Sequence, residues 1–433
     1  MLVFVIFVLL IGLILLGLPV AISLGVSAVV TFLALGESVN LLVIPLSMFK
    51  ATTSFPLLAI PFFILAGNLM NTGGITTRLF RFARACVGHI WGGLGQVNVV
   101  ASMIFSGMSG AAVADAAGLG QMELKAMADQ GYDKKFSAAI TAASSTIGPV
   151  IPPSIPFVIY ASLTEESVRR LFLAGCVPGI LMGVALMVAV LIISKKRNYP
   201  REERASFKEV AQSGLHSIIP MGTIFIILGG IFFGFFTPTE ASVVATLYAL
   251  IVGMFVYKEV KFKDLPHIVW DAIRHTLKVM FIIAAAGYFK HLMITERIPN
   301  QVIVAMTSIS ENPIVLMSII IFILLLLGCF LEGIAVLLIT IPIFLPIVTN
   351  VMNMNVIQFG VIMTLASMIG LLTPPVGMCL YAVSSISDVP VGKLSKELWP
   401  YLLGIFLVLV LIAAVPGFSL WLPNLIMGAA AGG

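Results

Sequence analysis

The sequence predicts an all-α polytopic membrane protein made of two inverted-topology repeats, and three observations predict it. The first is composition. Of 433 residues, 60% are hydrophobic and only 10% charged, with a mean hydropathy of +1.13, as expected of a chain with many apolar spans. The second is recurrence: Ser145-x-Ile147-Gly148-x-x-x-Pro152-Pro153 returns as Ser367-x-Ile369-Gly370-x-x-x-Pro374-Pro375, 222 positions later, each inside a long apolar run. The third is parity. Each half supplies five full spans plus one hairpin whose arms are too short to cross, and an odd number of crossings turns the second half over relative to the first.

The first two spans run from Leu2 to Gly17 and from Pro19 to Leu35, turning at Gly17-Leu18-Pro19. Met1 to Leu16 lacks a basic leader and a small-residue cleavage site, so it reads as a span and not a removed signal. A third span covers Phe55 to Met70 and is kinked at Pro56 and Pro61. Arg78, Arg81 and Arg84, at three-residue spacing, share one face of an amphipathic helix suited to the cytoplasmic interface. Positions 92–131 are rich in glycine, alanine and serine. Two short arms flank Ser106-Gly107-Met108-Ser109-Gly110, which predicts a re-entrant hairpin. The first broken helix occupies 136–163, and a fifth crossing, Leu171 to Ile193, stops at Lys195-Lys196-Arg197. Residues 1–194 thus form the first repeat and 195–215 a cytoplasmic linker.

The second repeat, 216–433, follows the same plan. Spans Ser217 to Phe235 and Ala241 to Val256 precede a basic loop with Lys258, Lys261 and Lys263, and a long helix runs from Asp264 to Thr295. A second hairpin, 314–351, carries Gly328-Cys329-Phe330-Leu331-Glu332-Gly333 at its tip, with Gly328 standing 222 positions after Ser106. A second broken helix, 356–386, and a last crossing, Tyr401 to Trp421, complete the chain. Placing both termini in the periplasm puts nearly all the basic loops on the cytoplasmic side, as the positive-inside rule requires. The net charge of +5 therefore orients the chain and implies no nucleic acid. Four scattered cysteines without metal or redox spacing read as packing residues.

Three prolines in the first break (Pro149, Pro152 and Pro153) and two in the second (Pro374 and Pro375) remove N–H donors and free carbonyls at membrane depth, and such backbone persists only where it binds something or faces protein or water. Paired interrupted spans are the sequence mark of a secondary transporter's central site. Around them the chain concentrates oxygen: the hydroxyls of Ser106, Ser109, Ser144, Ser145, Thr146, Ser367 and Thr373, and the carbonyls of Gly148, Val150, Gly370 and Thr373. Oxygen ligands of this kind suit Na⁺, while half-helix N-termini suit a carboxylate. Asp115 and Glu332 are the intramembrane carboxylates that stand out, as ion ligands, proton carriers or caps of the hairpin arms. Lys290 and His291 read as interfacial.

The Ser-Gly-x-Ser-Gly-Ala-x-x-Ala-Asp hairpin (Ser106 to Asp115), the Ile-Gly-Pro-x-Ile-Pro-Pro-Ser break (Ile147 to Ser154) and the Gly-x-x-x-Pro-Pro-x-Gly break (Gly370 to Gly377) resemble the large, DctM-type membrane subunit of tripartite ATP-independent periplasmic (TRAP) transporters. The resemblance covers essentially the whole chain. It implies an elevator-type secondary transporter of the bacterial inner membrane, driven by Na⁺, that imports an acidic solute of the sialic acid or C4-dicarboxylate class. A periplasmic binding protein delivers the solute and a small four-helix membrane subunit pairs with the large one, here as a separate polypeptide. The overall likeness leans to sialic acid, although no single residue does. Carried over by motif, one Na⁺ site uses Ser106, Ser145, Gly148, Val150 and Pro152, and the other Gly328, Gly370, Thr373 and Met378. The solute is expected against Ser109, Ser144, Thr146, Pro153 and Pro375.

Two rival readings compete. One is a Na⁺/carboxylate symporter that needs no binding protein. The other is a rhomboid-type intramembrane protease using Gly107-Met108-Ser109-Gly110 with His291, which leaves the internal repeat unexplained. The sequence has no phosphate-binding loop that would support ATP-driven transport.

Overall fold

The computed structural model describes residues 2–35 and 42–428. Of Leu2, Val3, Ser106 to Ser109 and His216 only the backbone is described. Twenty α-helices follow one another, and there is no strand among the described residues. The first half contains α1 (Leu2–Leu15), α2 (Val20–Ala34), α3 (Val43–Thr52), α4 (Ala59–Thr72), α5 (Ile75–Val87), α6 (Gly93–Ser109), α7 (Ala112–Asp129), α8 (Lys134–Ser145), α9 (Ile155–Thr164) and α10 (Val168–Arg197). The second contains α11 (Phe207–Phe232), α12 (Pro238–Ile251), α13 (Leu265–Thr295), α14 (Ile298–Ile309), α15 (Pro313–Gly328), α16 (Gly333–Asn350), α17 (Val356–Gly370), α18 (Met378–Ser387), α19 (Val391–Ala414) and α20 (Gly417–Met427).

Most expected elements form where breakers and apolar runs place them, and four differ. The expected third span runs as a 3₁₀ turn, Phe55–Leu58, that contains Pro56 and continues into α4, and a separate helix, α3, which was not expected, precedes it across Thr53-Ser54. The segment expected as a cytoplasmic linker, 195–215, is helical from Phe207. Ser206 and Glu209 form a reciprocal capping box there, a signal present in the sequence as Ser-x-x-Glu. That helix bends by 56° between Leu215 and Ser217, and only 198–206 is an open strap. The last crossing ends at Ala414, because Pro416 and Gly417 interrupt it and start α20. Helix α14 was not expected. It occupies the place in the second half that α5 has in the first, with Pro299 in its first turn.

Element bounds recur at an offset of about 222 residues along most of the chain: α5 corresponds to α14, α6 to α15, α7 to α16, α8 to α17 and α9 to α18. Where α3 and α4 are separate, the second half has the single 31-residue helix α13. Lys278 stands there at the position equivalent to Pro56, so nothing interrupts the hydrogen-bond ladder.

Two groups of helices pack together. In one, α4 lies on α12, α13 on α2 and α3, and α11 on α5 and α12; in the other, α6, α7 and α8 cluster with α10 and α19, and α15, α16 and α17 with one another. The hairpins cross over, with α7 packing on α18 and α16 on α9. Two helices of the second group are buried all round: α8 from Phe136 to Ser145 and α17 from Ile357 to Gly370 have no exposed residue. All-round burial of this kind marks an inner body enclosed by other helices. The outer helices leave Phe4, Leu33, Phe225, Leu247 and Leu277 exposed, which suits lipid contact. The four cysteines are free.

Candidate functional site

The first break spans 146–154. Helix α8 unwinds through a tight turn in which the Ile147 carbonyl accepts from both Val150 and Ile151. Ser154 then starts α9: its hydroxyl accepts from the Phe157 N–H at 3.2 Å and donates to the Pro149 carbonyl. The carbonyls of Gly148, Val150 and Pro152 accept no hydrogen bond among the described residues, which leaves these three oxygens of the expected ligand set uncommitted. Ser145 and Thr146 donate to the carbonyls of Ala142 and Ala143, so their lone pairs are also spare.

In the second break the Gly377 N–H bonds the Cys329 carbonyl of the hairpin tip at 2.9 Å, and the Cys379 N–H bonds the Leu371 carbonyl at 3.1 Å. These tie hairpin tip and break into one unit. The Gly370 carbonyl accepts from the Thr373 N–H and the Thr373 hydroxyl donates to Ile369, while the carbonyls of Gly328 and Thr373 are uncommitted among the described residues. Both breaks carry a cis proline peptide, Pro152-Pro153 and Pro374-Pro375. The breaks also meet, since the Cys379 side chain interacts with Ser145.

Glycines make these approaches possible. A Cβ on Gly370 would stand 2.5 Å from the Gly328 Cα, so hairpin and break touch backbone to backbone. A Cβ on Gly148 would stand 2.4 Å from Asp115 Oδ2, so the Asp115 carboxylate lies against the backbone of the first break.

A cavity of about 530 Å³ lies between the two hairpin tips and helices α4 and α13. Its size is within the range of small-molecule sites. Its polar lining is Asn68 and Asn71 from α4, His275 and Lys278 from α13, Asp115 from the first hairpin and Glu332 from the second. Ile155 and Met378, the first residues of α9 and α18, reach it from the two breaks. Three residues singled out in the sequence therefore face the cavity: Asp115, Glu332 and Met378. Ser144, Ser145, Thr146, Gly148, Val150, Pro152, Pro153, Gly328 and Gly370 are buried and do not line it; nor do the half-buried Thr373 and the exposed Pro375. Ser106 and Ser109 end α6, and their side chains lie outside the described residues. Glu332 occupies the N-cap position of α16 without making a capping hydrogen bond, so its carboxylate is not consumed as a cap. His291 packs its ring on Phe32 and Tyr288, toward α2.

Sequence reasoning missed a buried polar cluster behind the first break. Asn98 donates to Glu123 Oε2 and to the Thr141 hydroxyl, each at 2.8 Å, and accepts from the Ser144 hydroxyl at 2.6 Å. Glu123 is 2% exposed. Asn98, a lone amide between Val97 and Val99, was the available signal. Lys278 was missed for a different reason. It stands at the edge of an apolar run, where snorkelling is the ordinary reading.

Comparisons with known proteins agree with this architecture. Residues 7–418 match the family model for the tripartite ATP-independent periplasmic transporter, DctM component. The chain is 43% identical over 417 residues to the sialic acid TRAP transporter large permease protein SiaM of Vibrio cholerae, covering 96% of this chain and 97% of that one. It is 40% identical over 403 residues to the C4-dicarboxylate TRAP transporter large permease protein DctM of Pseudomonas aeruginosa, covering 93% and 94%. Among solved structures it resembles the Alcanivorax borkumensis YdaH transporter, with a TM-score of 0.56 at 13% identity and 88% coverage of each chain, a likeness of fold.

Proposed function

We propose, for a chain that belongs to the DctM component family of tripartite ATP-independent periplasmic transporters, Na⁺-coupled import of an acidic organic solute by an elevator movement. The observation that carries this reading is the pairing of two helix breaks, each with uncommitted carbonyls, around a single cavity closed by two hairpin tips. One Na⁺ is held at the first break by Ser145, Gly148, Val150 and Pro152 with Ser106, and a second at the other break by Gly328, Gly370, Thr373 and Met378. Oxygen-only sets with flexible geometry suit this ion.

The two halves are inverted repeats, 1–194 and 216–433, in the bacterial inner membrane with both termini periplasmic. The recurring element order supports this. The inner group of helices, containing hairpins and breaks, is the moving body, and the outer group is the scaffold against which it slides. Membership of the family implies a tripartite system, so a small membrane subunit and a periplasmic binding protein complete the machine. The solute class is read from relatives named for sialic acid and for C4-dicarboxylates.

The test is uptake of labelled sialic acid and of labelled succinate into proteoliposomes containing this chain, the small subunit and the cognate binding protein. The Na⁺ gradient and each component are omitted in turn. Loss of uptake on every omission is expected. Uptake without the binding protein would favour a stand-alone symporter, and uptake without Na⁺ would refute the coupling.

A further inference from the structure

We propose that Lys278 on α13 receives the carboxylate of the transported solute and that Glu332, on the same cavity, accepts hydrogen bonds from its hydroxyl or amide groups. The cavity thereby selects a hydroxylated monocarboxylate over a dicarboxylate. This inference rests on the transport function above and assigns groups within its central cavity.

Three observations carry it. Lys278 is exposed on α13, makes no hydrogen bond or ion pair among the described residues, and is the one lysine or arginine on the cavity wall. An ammonium in such a place offers three donors and no acceptor, so an anion is its natural partner. Glu332 faces the same space from the hairpin tip and makes no capping bond. The remaining polar groups are the amides of Asn68 and Asn71, the His275 imidazole on the same helix as Lys278, and the Asp115 carboxylate of the first hairpin. Asn71 accepts from the Thr76 hydroxyl at 3.4 Å, and its Nδ2 lies 3.9 Å from where a Cβ on Gly118, another lining residue, would stand.

The site is therefore polarised. It has a cationic wall on α13, neutral amides on α4 and carboxylate acceptors on the hairpins. A solute with one acid group and several O–H or N–H groups matches both ends. A dicarboxylate that satisfies Lys278 brings its second charge toward Glu332, and like charges brought to close range are unfavourable. Such rejection rests on repulsion, so it persists even when both solutes fit the volume.

The test is calorimetric titration of sialic acid and of succinate into the full chain purified with its small subunit, in NaCl and in choline chloride. Wild type, Lys278→Gln, Lys278→Arg and Glu332→Gln are compared. In NaCl, wild type should bind sialic acid at least about tenfold more tightly than succinate. Lys278→Gln should weaken sialic acid binding about tenfold, Lys278→Arg should keep most of it, and Glu332→Gln should narrow the preference.

The melting temperature with and without Na⁺, measured on the same samples before titration, separates the two levels of inference. A Na⁺-induced rise shared by wild type and Lys278→Gln shows that both fold and bind the ion; unchanged sialic acid affinity in Lys278→Gln then overturns the role of Lys278. Equal affinity for succinate, or binding of neither solute, overturns the selectivity. Absence of any Na⁺ effect on melting or binding in wild type refutes the Na⁺-coupled reading itself.

Discussion

Replacing Gly370 with alanine tests the joint between the second hairpin and the second break. The new methyl would stand 2.5 Å from the Gly328 Cα, 2.7 Å from its carbonyl carbon and 3.2 Å from its oxygen, all backbone atoms that no rotamer change can move away. Ordinary contact begins near 3.4 Å, so the tip must retreat from the break by about 0.9 Å in a body packed at crystal density. Overpacking of this kind costs about 1–3 kcal/mol. The gain from replacing a helical glycine by alanine is at most about 1 kcal/mol, and Gly370 is the last residue of α17, where that gain is smallest. The net expectation is a loss of about 1–2 kcal/mol, read as a lower melting temperature in detergent. Gly229→Ala, in the last turn of α11 with nothing within 4 Å, is the control and should be neutral or slightly stabilising. The retreat also separates Gly328 from Thr373, so the stabilisation conferred by added Na⁺ should shrink in Gly370→Ala alone. Melting and Na⁺ response equal to wild type would refute the backbone contact and with it the geometry of the second site.

Ser154→Ala removes the cap of α9 and the partner of the Pro149 carbonyl, and should lower stability by about 1 kcal/mol in the same melting assay. Ser145→Leu should cut the Na⁺ dependence of uptake more than it cuts expression; uptake that keeps its Na⁺ dependence would remove Ser145 from the first site. In the strap, burial pushes the Glu202 carboxyl up, and hydrogen bonds from Arg84 and Gln130 more than offset it, leaving it below the usual carboxylate range. A depressed folded value gives stability that is full above the unfolded carboxylate range near pH 4.3 and is lost as pH falls through the folded value. Glu202→Gln should therefore cost under about 1 kcal/mol at pH 7, since the pair is partly exposed. The difference from wild type should vanish in acid, and one that grew on acidification would reverse the assignment. Single cysteines at the exposed positions Arg81 and Lys396, with the native four replaced, should react only with reagent supplied from the cytoplasm; labelling from the periplasm would invert the topology.

Much of the fold was legible in the sequence because its signals are local. Proline and glycine interrupt helices wherever they stand, and an apolar run declares a buried or lipid-facing helix by composition alone. The breaks at Ile147 to Ser154 and Gly370 to Gly377, and the hairpin arms either side of Gly110 and of Leu331, follow from those rules. The missed elements had weaker local marks. Helices α14 and α3 are short and flank prolines, and the Ser206–Glu209 capping box was present but overlooked among charges.

The sequence by itself determined that this is a helical membrane protein with two motif-matched breaks, and it pointed to Asp115 and Glu332. Only the tertiary structure decided what those carboxylates face. It brings Asp115 against Gly148, sets Glu332 and Lys278 on one cavity, and buries Ser144 and Thr146 outside that cavity's lining. These residues lie tens to hundreds of positions apart, and no periodicity or propensity relates them. Their juxtaposition arises from how whole helices pack, which is set by the summed fit of many apolar side chains.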